Sequence, residues 1–150
     1  MIRLNRLTDY AIVVLSQLSS DQARVRTATQ LAHETGVPLP TVAKILKTLT
    51  VDGIIVSHRG AAGGYALSRS PDAITAAQII TALEGPIALT ACVEGSGGHC
   101  DVEQLCPMRG HWEKVNGAIR HALEKLTLAE LAAPVAPYAA LAGRELMGAN

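Results

Sequence analysis

The run Gly36-Val37-Pro38-Leu39-Pro40 limits what this chain can fold into more than any other five residues. Gly36 accepts the left-handed conformation that closes a helix. Pro38 keeps the residue before it out of helical backbone, and Pro40 suits the first position of a new helix. One helix must stop and another start within a few residues, so the two cannot fuse. The first opens at Thr27, where Gln30 completes a capping box, and runs through Leu31 and Ala32. The second reads T-V-A-K-I-L-K-T-L-T-V-D and ends at Gly53. Helical spacing turns Val42, Ile45, Leu46 and Leu49 inward and leaves Thr41, Lys44 and Lys47 exposed. Two short helices across a tight turn match a helix-turn-helix, although plain helical packing gives the same pattern.

The next segment separates those alternatives. Ile54-Ile55-Val56-Ser57 is a strand by its β-branched content, residues 58–64 form a turn, and Tyr65-Ala66-Leu67-Ser68 returns. A hairpin directly after such a helix pair is a wing. Arg59 in its turn is placed for phosphates or a narrow minor groove; the alternative is a surface hairpin with a solvated arginine. Charge favours the wing. Residues 1–70 hold eight Lys/Arg against four Asp/Glu, a net +4, while residues 71–150 hold five against nine, a net −4. Only the first half is suited to a polyanion. The expected DNA-facing residues are Thr41, Lys44, Lys47, Ser57, Arg59 and Tyr65.

Ahead of this unit, residues 8–20 place Tyr10, Ala11, Val14, Leu15 and Leu18 on one helical face. Thr8 reads as the cap, and Asp9 in the first turn suits the helix dipole. Beyond Pro71-Asp72, Thr75 and Gln78 repeat the capping box and open a helix that Gly85-Pro86 closes. Further on, Trp112, Val115, Ile119, Ala122 and Leu126 recur in alternating steps of three and four. That narrow seam fits a helix paired with another, or one packed within the chain. Thr127 to Glu130 caps a last short helix, and from Ala133 the Ala/Pro/Gly-rich tail is expected to be flexible. With no Phe and one Trp, the core must be aliphatic.

The chain's three cysteines, Cys92, Cys100 and Cys106, lie close together, with Gly95, Gly97 and Gly98 in the first gap. Such a loop can fold back on itself. An odd count argues against a complete disulfide framework, and no apolar run reaches transmembrane length or resembles a signal peptide. The chain is therefore expected to be cytoplasmic, where clustered cysteines bind metal or do redox work. Structural zinc sites pair cysteines two to four residues apart, which these are not. Three sulfurs on an open loop suit an iron–sulfur cluster, while a structural thiol set or a redox disulfide stays open. A fourth ligand has to come from elsewhere: His111, His99, Glu94, Glu103 and Asp101 are the nearby candidates. No G-x-S-x-G, Walker loop or H-E-x-x-H is present, so no enzyme activity is expected.

These residues together resemble the bacterial winged-helix iron–sulfur regulators typified by IscR, NsrR and RirA, and within them the SUF-system cluster-assembly regulators. The resemblance spans residues 1 to about 131 and rests on R-L-T-D-Y-A at 6–11, R-G-A-A-G-G-Y-A-L at 59–67, A-L-E-G-P-I-A-L-T at 82–90 and the cysteine triplet. The fold expected is mainly α with a small β-hairpin wing. It comprises a winged helix-turn-helix domain (1–70), a connecting helix (71–90), a cluster-binding loop (91–111), a long dimerisation helix with its cap (112–132) and the tail (133–150).

The resemblance implies a homodimer on double-stranded DNA with a palindromic operator, and no membrane. It makes Cys92, Cys100 and Cys106 cluster ligands. In IscR-like members a histidine lies three residues after the last cysteine; here Arg109 stands there and His111 follows two later. In NsrR-like members the ligand is an aspartate at the start of the first helix, given by the partner subunit, and Asp9 matches it. Asp9 in trans is the favoured reading and implies a 4Fe-4S cluster; His111 is the alternative and implies 2Fe-2S. The function implied is a transcriptional regulator that senses iron or cluster status and controls Fe-S assembly or iron-homeostasis genes. The alternative is a metal- or cluster-binding protein that uses its winged helix for protein contacts.

Overall fold

The structure, a computed structural model, describes residues 3–108 and 110–134; the expected tail falls outside them from residue 135 on. Among the described residues the chain forms α1 (Arg6–Ser19), α2 (Ala28–Thr35), α3 (Leu39–Val51), β1 (Ile55–His58), β2 (Gly64–Leu67), α4 (Ala76–Glu84), α5 (His111–Lys125) and α6 (Leu128–Ala132). Short 3₁₀ turns occupy Pro71–Ala73 and Glu103–Leu105. The expected class, mainly helical with a two-stranded wing, is the one found.

Local chemistry sets most boundaries. Capping boxes open α2 at Thr27, α4 at Thr75 and α6 at Thr127, each with the reciprocal side chain three residues on. Gly36 closes α2 in the left-handed conformation (φ 74°). Three expectations need correction. Thr8 does not cap α1: the cap is Asn5, whose side chain accepts from the Thr8 N–H, and Thr8 itself is buried. Pro40 is the second residue of α3, because Leu39 already has helical backbone. The strands are shifted by one residue each, to 55–58 and 64–67, because Ile55 pairs with Leu67 and His58 with Gly64.

One aliphatic core joins the elements. Leu15 and Leu18 of α1, Leu31 of α2, Ile45, Leu46 and Leu49 of α3 and Ile55 of β1 pack with Ile74, Ile79 of α4 and Leu128 of α6. The core thus continues past the wing. Backbone bonds from the Ala76 N–H to the Leu126 carbonyl and from the Leu128 N–H to the Ile74 carbonyl, both 2.8 Å, seat the last helix on it.

The wing is fixed at its root. Arg26 and Tyr65 exchange backbone hydrogen bonds of 3.0 and 2.8 Å, so the segment before α2 pairs with β2. Gly64 has no alternative there: with φ 149°, an added Cβ would lie 2.5 Å from the Arg26 carbonyl oxygen. The buried Arg26 side chain stands beside Glu34, Nε to Oε2 3.0 Å, an ion pair in which the N–H is not aligned for a hydrogen bond.

Candidate nucleic-acid interface and metal centre

The outward face of α3 follows from its inward one. Val42, Ile45, Leu46 and Leu49 are buried. The positions left exposed are Leu39, Pro40, Ala43, Lys44, Lys47 and, at the helix end, Val51, one stripe at helical spacing. Thr41 is half-buried rather than exposed, because it adjoins the inward Val42 and Ile45 face. Leu39 and Ala43 were missed in the sequence, although both lie in line with Lys47 at steps of four. On the wing, Ser57, His58 and Arg59 are exposed, while Tyr65 is half-buried against the core.

The α3–wing unit is stapled to α4 by Arg69. Its guanidinium donates to the carbonyls of Gly53 (3.2 Å) and Ala73 (3.0 Å), to Ser68 Oγ (3.1 Å) and to Gln78 Oε1 (3.0 Å). One planar donor group thereby holds the end of α3, the strand exit and the first turn of α4 in register. At the other end of α4, Glu84 Oε1 accepts from the Asn5 N–H (3.0 Å) and from Thr8 Oγ1 (2.5 Å). That pair fixes the start of α1, and with it the exposed Asp9.

From Gly85 to Gly110 the described residues form no α-helix or strand. Its first part is held by α5. Asn116, fully buried, donates from Nδ2 to the Ile87 carbonyl (2.9 Å) and accepts at Oδ1 from the Leu89 N–H (3.1 Å). Glu113, one turn earlier, accepts from the Glu94 N–H (3.0 Å). The segment is thus gripped on both sides of Cys92, whose Sγ lies 3.2 Å from Thr90 Oγ1. Sequence reading missed both grips, since nothing in the local pattern marks an asparagine that mimics a strand neighbour.

The loop then turns back, as its glycines suggested. Gly95 and Gly97 have positive φ, Ser96 Oγ donates to the Ala91 carbonyl (2.7 Å), and a Cβ on Gly98 would lie 2.8 Å from that of Ala91. Cys92, Cys100 and Cys106 are all half-buried and free of disulfides. Among the described residues, no three His, Cys, Asp or Glu side chains converge as a metal cage. His111 begins α5 exposed, and Asp9 lies on α1. The donor chemistry fits an iron–sulfur group: three accessible thiols on one reversing loop. The described residues of one chain do not bring a complete ligand set together.

α5 ends the site. Asn116 is its one buried residue, and Trp112 and Val115 of the expected seam remain 38% and 45% exposed. No helix among the described residues is long and apolar enough to cross a membrane.

Residues 4–134 match the family model described as "Rrf2: Iron-dependent Transcriptional regulator". The chain is 30% identical over 132 residues to the HTH-type transcriptional regulator IscR of Erwinia tasmaniensis, covering 87% of this chain and 78% of that one. Among solved structures it is similar to CymR, the global cysteine regulator of B. subtilis, with a TM-score of 0.68 at 27% identity over 88% of this chain and 97% of the other. T. potens IscR, at 23% identity, shares the fold with a TM-score of 0.63 over 93% and 96%.

Proposed function

This chain belongs to the Rrf2 family of transcriptional regulators, not to an enzyme family, and from that premise we propose that it is a regulator governed by an iron–sulfur cluster. Its targets, on this reading, are genes of iron–sulfur assembly or iron homeostasis. The observation that carries the proposal is the sulfur-bearing loop: three free thiols on one reversing segment, with the backbone on either side of Cys92 tied to α5 by Asn116 and Glu113.

Two copies would meet a palindromic operator, placing their α3 helices in major grooves one turn, about 34 Å, apart. Lys44 and Lys47 supply charge along α3, and Ser57 and Arg59 on the wing reach phosphate or minor groove, with Thr41 and Tyr65 supporting from half-buried positions. Cys92, Cys100 and Cys106 would hold the cluster. The partner's Asp9 completes the set for a 4Fe-4S form, with His111 as the alternative for 2Fe-2S. Bound there, the group would supply a link among the three thiolates and the fourth ligand, and its loss would remove that link. Loop position then bears on α5 through Asn116, and α4 connects to α3 and the wing through Arg69. A difference in loop geometry between the two states becomes a difference in DNA affinity only through such differential contacts.

A second reading has its own support: CymR is a cysteine regulator, and no ligand cage is preformed among the described residues. On that reading the chain binds DNA without a cluster. Anaerobic reconstitution with iron and sulfide separates the two. Stoichiometric uptake of both, lost in Cys92→Ser, Cys100→Ser and Cys106→Ser, is expected; DNA binding by a protein that takes up neither favours the second reading. Asp9→Ala and His111→Ala, compared by absorption spectrum, assign the fourth ligand, and if neither changes it both assignments fail.

A further inference from the structure

The outward stripe of α3 changes chemistry along its length. Its leading turn carries only carbon: Leu39, Pro40 and, one turn on, Ala43. Leu39 keeps 44% of its surface exposed and takes no part in the core. Thr41, which could hydrogen-bond, is half-buried. Charge begins only with Lys44 and Lys47, further from the helix start.

A recognition helix meets base edges with its N-terminal residues. Side chains without donors or acceptors cannot tell bases apart by hydrogen bonding. What they can recognise in the major groove is the C5-methyl group of thymine. The surroundings favour this occupant over an apolar protein surface. Lys44 and Lys47 continue the same stripe, and the wing that follows α3 carries exposed Arg59, so the charge exposed behind the apolar turn is basic and suits a polyanion.

We propose that Leu39 and Ala43 are specificity residues that read thymine methyl groups, with Lys44 and Lys47 holding the backbone behind them. Each operator half-site then carries thymine where the leading turn of α3 enters the groove. The inference rests on the DNA-reading role of α3 proposed above.

The test uses the full chain, both iron-free and anaerobically reconstituted, to select duplexes from a random-sequence pool. The enriched duplex is resynthesised with deoxyuridine replacing thymidine one position at a time, which removes only the methyl group. Thymine is expected in the half-sites, with affinity falling roughly four-fold for each methyl lost under α3, the scale of one buried carbon. In the Leu39→Ala, Ala43→Gly double variant that sensitivity should shrink below two-fold. Because Leu39 is exposed, Leu39→Ala alone should fold normally and lose part of the sensitivity. Lys47→Ala should weaken all duplexes alike and keep the methyl effect. An enriched duplex bound equally well with uracil overturns thymine reading while leaving DNA reading intact. Methyl sensitivity that persists in the double variant overturns the assignment to these residues. If neither form enriches any sequence, the DNA-reading role of α3 falls as well.

Discussion

Residues 6–84 and residues 85–125 fold by different means. In the first region every helix contributes to one aliphatic core, and Leu15, Leu31, Ile45, Leu46 and Ile79 are wholly buried. In the second, the buried residues among those described are Val93 and Asn116, while Val102, Leu105, Met108, Trp112 and Val115 remain exposed. The first region is held by area removed from water, a term that acts at every core residue at once. The second is held by a few polar grips on backbone groups, each of modest net strength. On the function proposed above, the DNA-facing stripe rides on the part with the shared core and the thiols on the part held by few grips. Low local stability is what a segment that changes state requires.

The largest test of that contrast compares two leucines. Leu46→Ala should lower the unfolding free energy of the iron-free protein by about 2–5 kcal/mol, read from urea titration. Leu105→Ala, at a position 94% exposed, should stay within about 0.5 kcal/mol. Equal costs would mean that the loop has a core of its own.

Two glycines should respond with opposite signs. Gly64→Ala forces a Cβ against the Arg26 carbonyl at φ 149°, and a loss of about 1–3 kcal/mol with weakened DNA binding is expected. Gly117→Ala, inside α5 with nothing within 4 Å, should raise thermal stability by about 0.5–1 kcal/mol through the unfolded state and helix propensity. Destabilisation by Gly117→Ala would instead reveal a surface packed closely on that face.

Asn116→Ala leaves the Ile87 carbonyl and the Leu89 N–H without their side-chain partner. A cost of about 1–3 kcal/mol is expected, together with faster hydrogen exchange at Leu89 and unchanged exchange in α3. Slow exchange at Leu89 in that variant would show the strap to be held by something else.

The smallest effect concerns Glu130. Hydrogen bonds from the Thr127 backbone N–H (2.8 Å) and hydroxyl (2.9 Å) hold its carboxyl below the usual carboxylate range. A lowered folded value means the ionised form stabilises α6. That contribution is present above the ordinary glutamate range and disappears as pH falls through the lowered value. Protection of the α6 amides, measured against the intrinsic exchange rate at each pH, should therefore fall on acidification, and Glu130→Gln should abolish that fall.

The three capping boxes were legible because each is a contact between residues three apart. So was the inward face of α3, which periodicity alone defines. Thr8 was misread as the cap although Asn5, three residues ahead, takes that role; only the bond of Thr8 to Glu84, 76 positions away, lay beyond local pattern. Asn116 was invisible for the same reason: its two partners lie 27 and 29 positions upstream. The seam of α5 was legible as a pattern, but no pattern says what covers it.

By itself, then, the sequence determined where helices stop, start and turn, which faces are apolar, and that three thiols share one loop, since these depend on near neighbours and spacing. Tertiary structure alone decided that α4 and α6 join the core of the winged helix, that Asn116 ties the thiol loop to α5, and that Thr41 is half-buried beside the exposed face of α3. Those outcomes depend on which distant segments meet, and on what burial leaves exposed once they do.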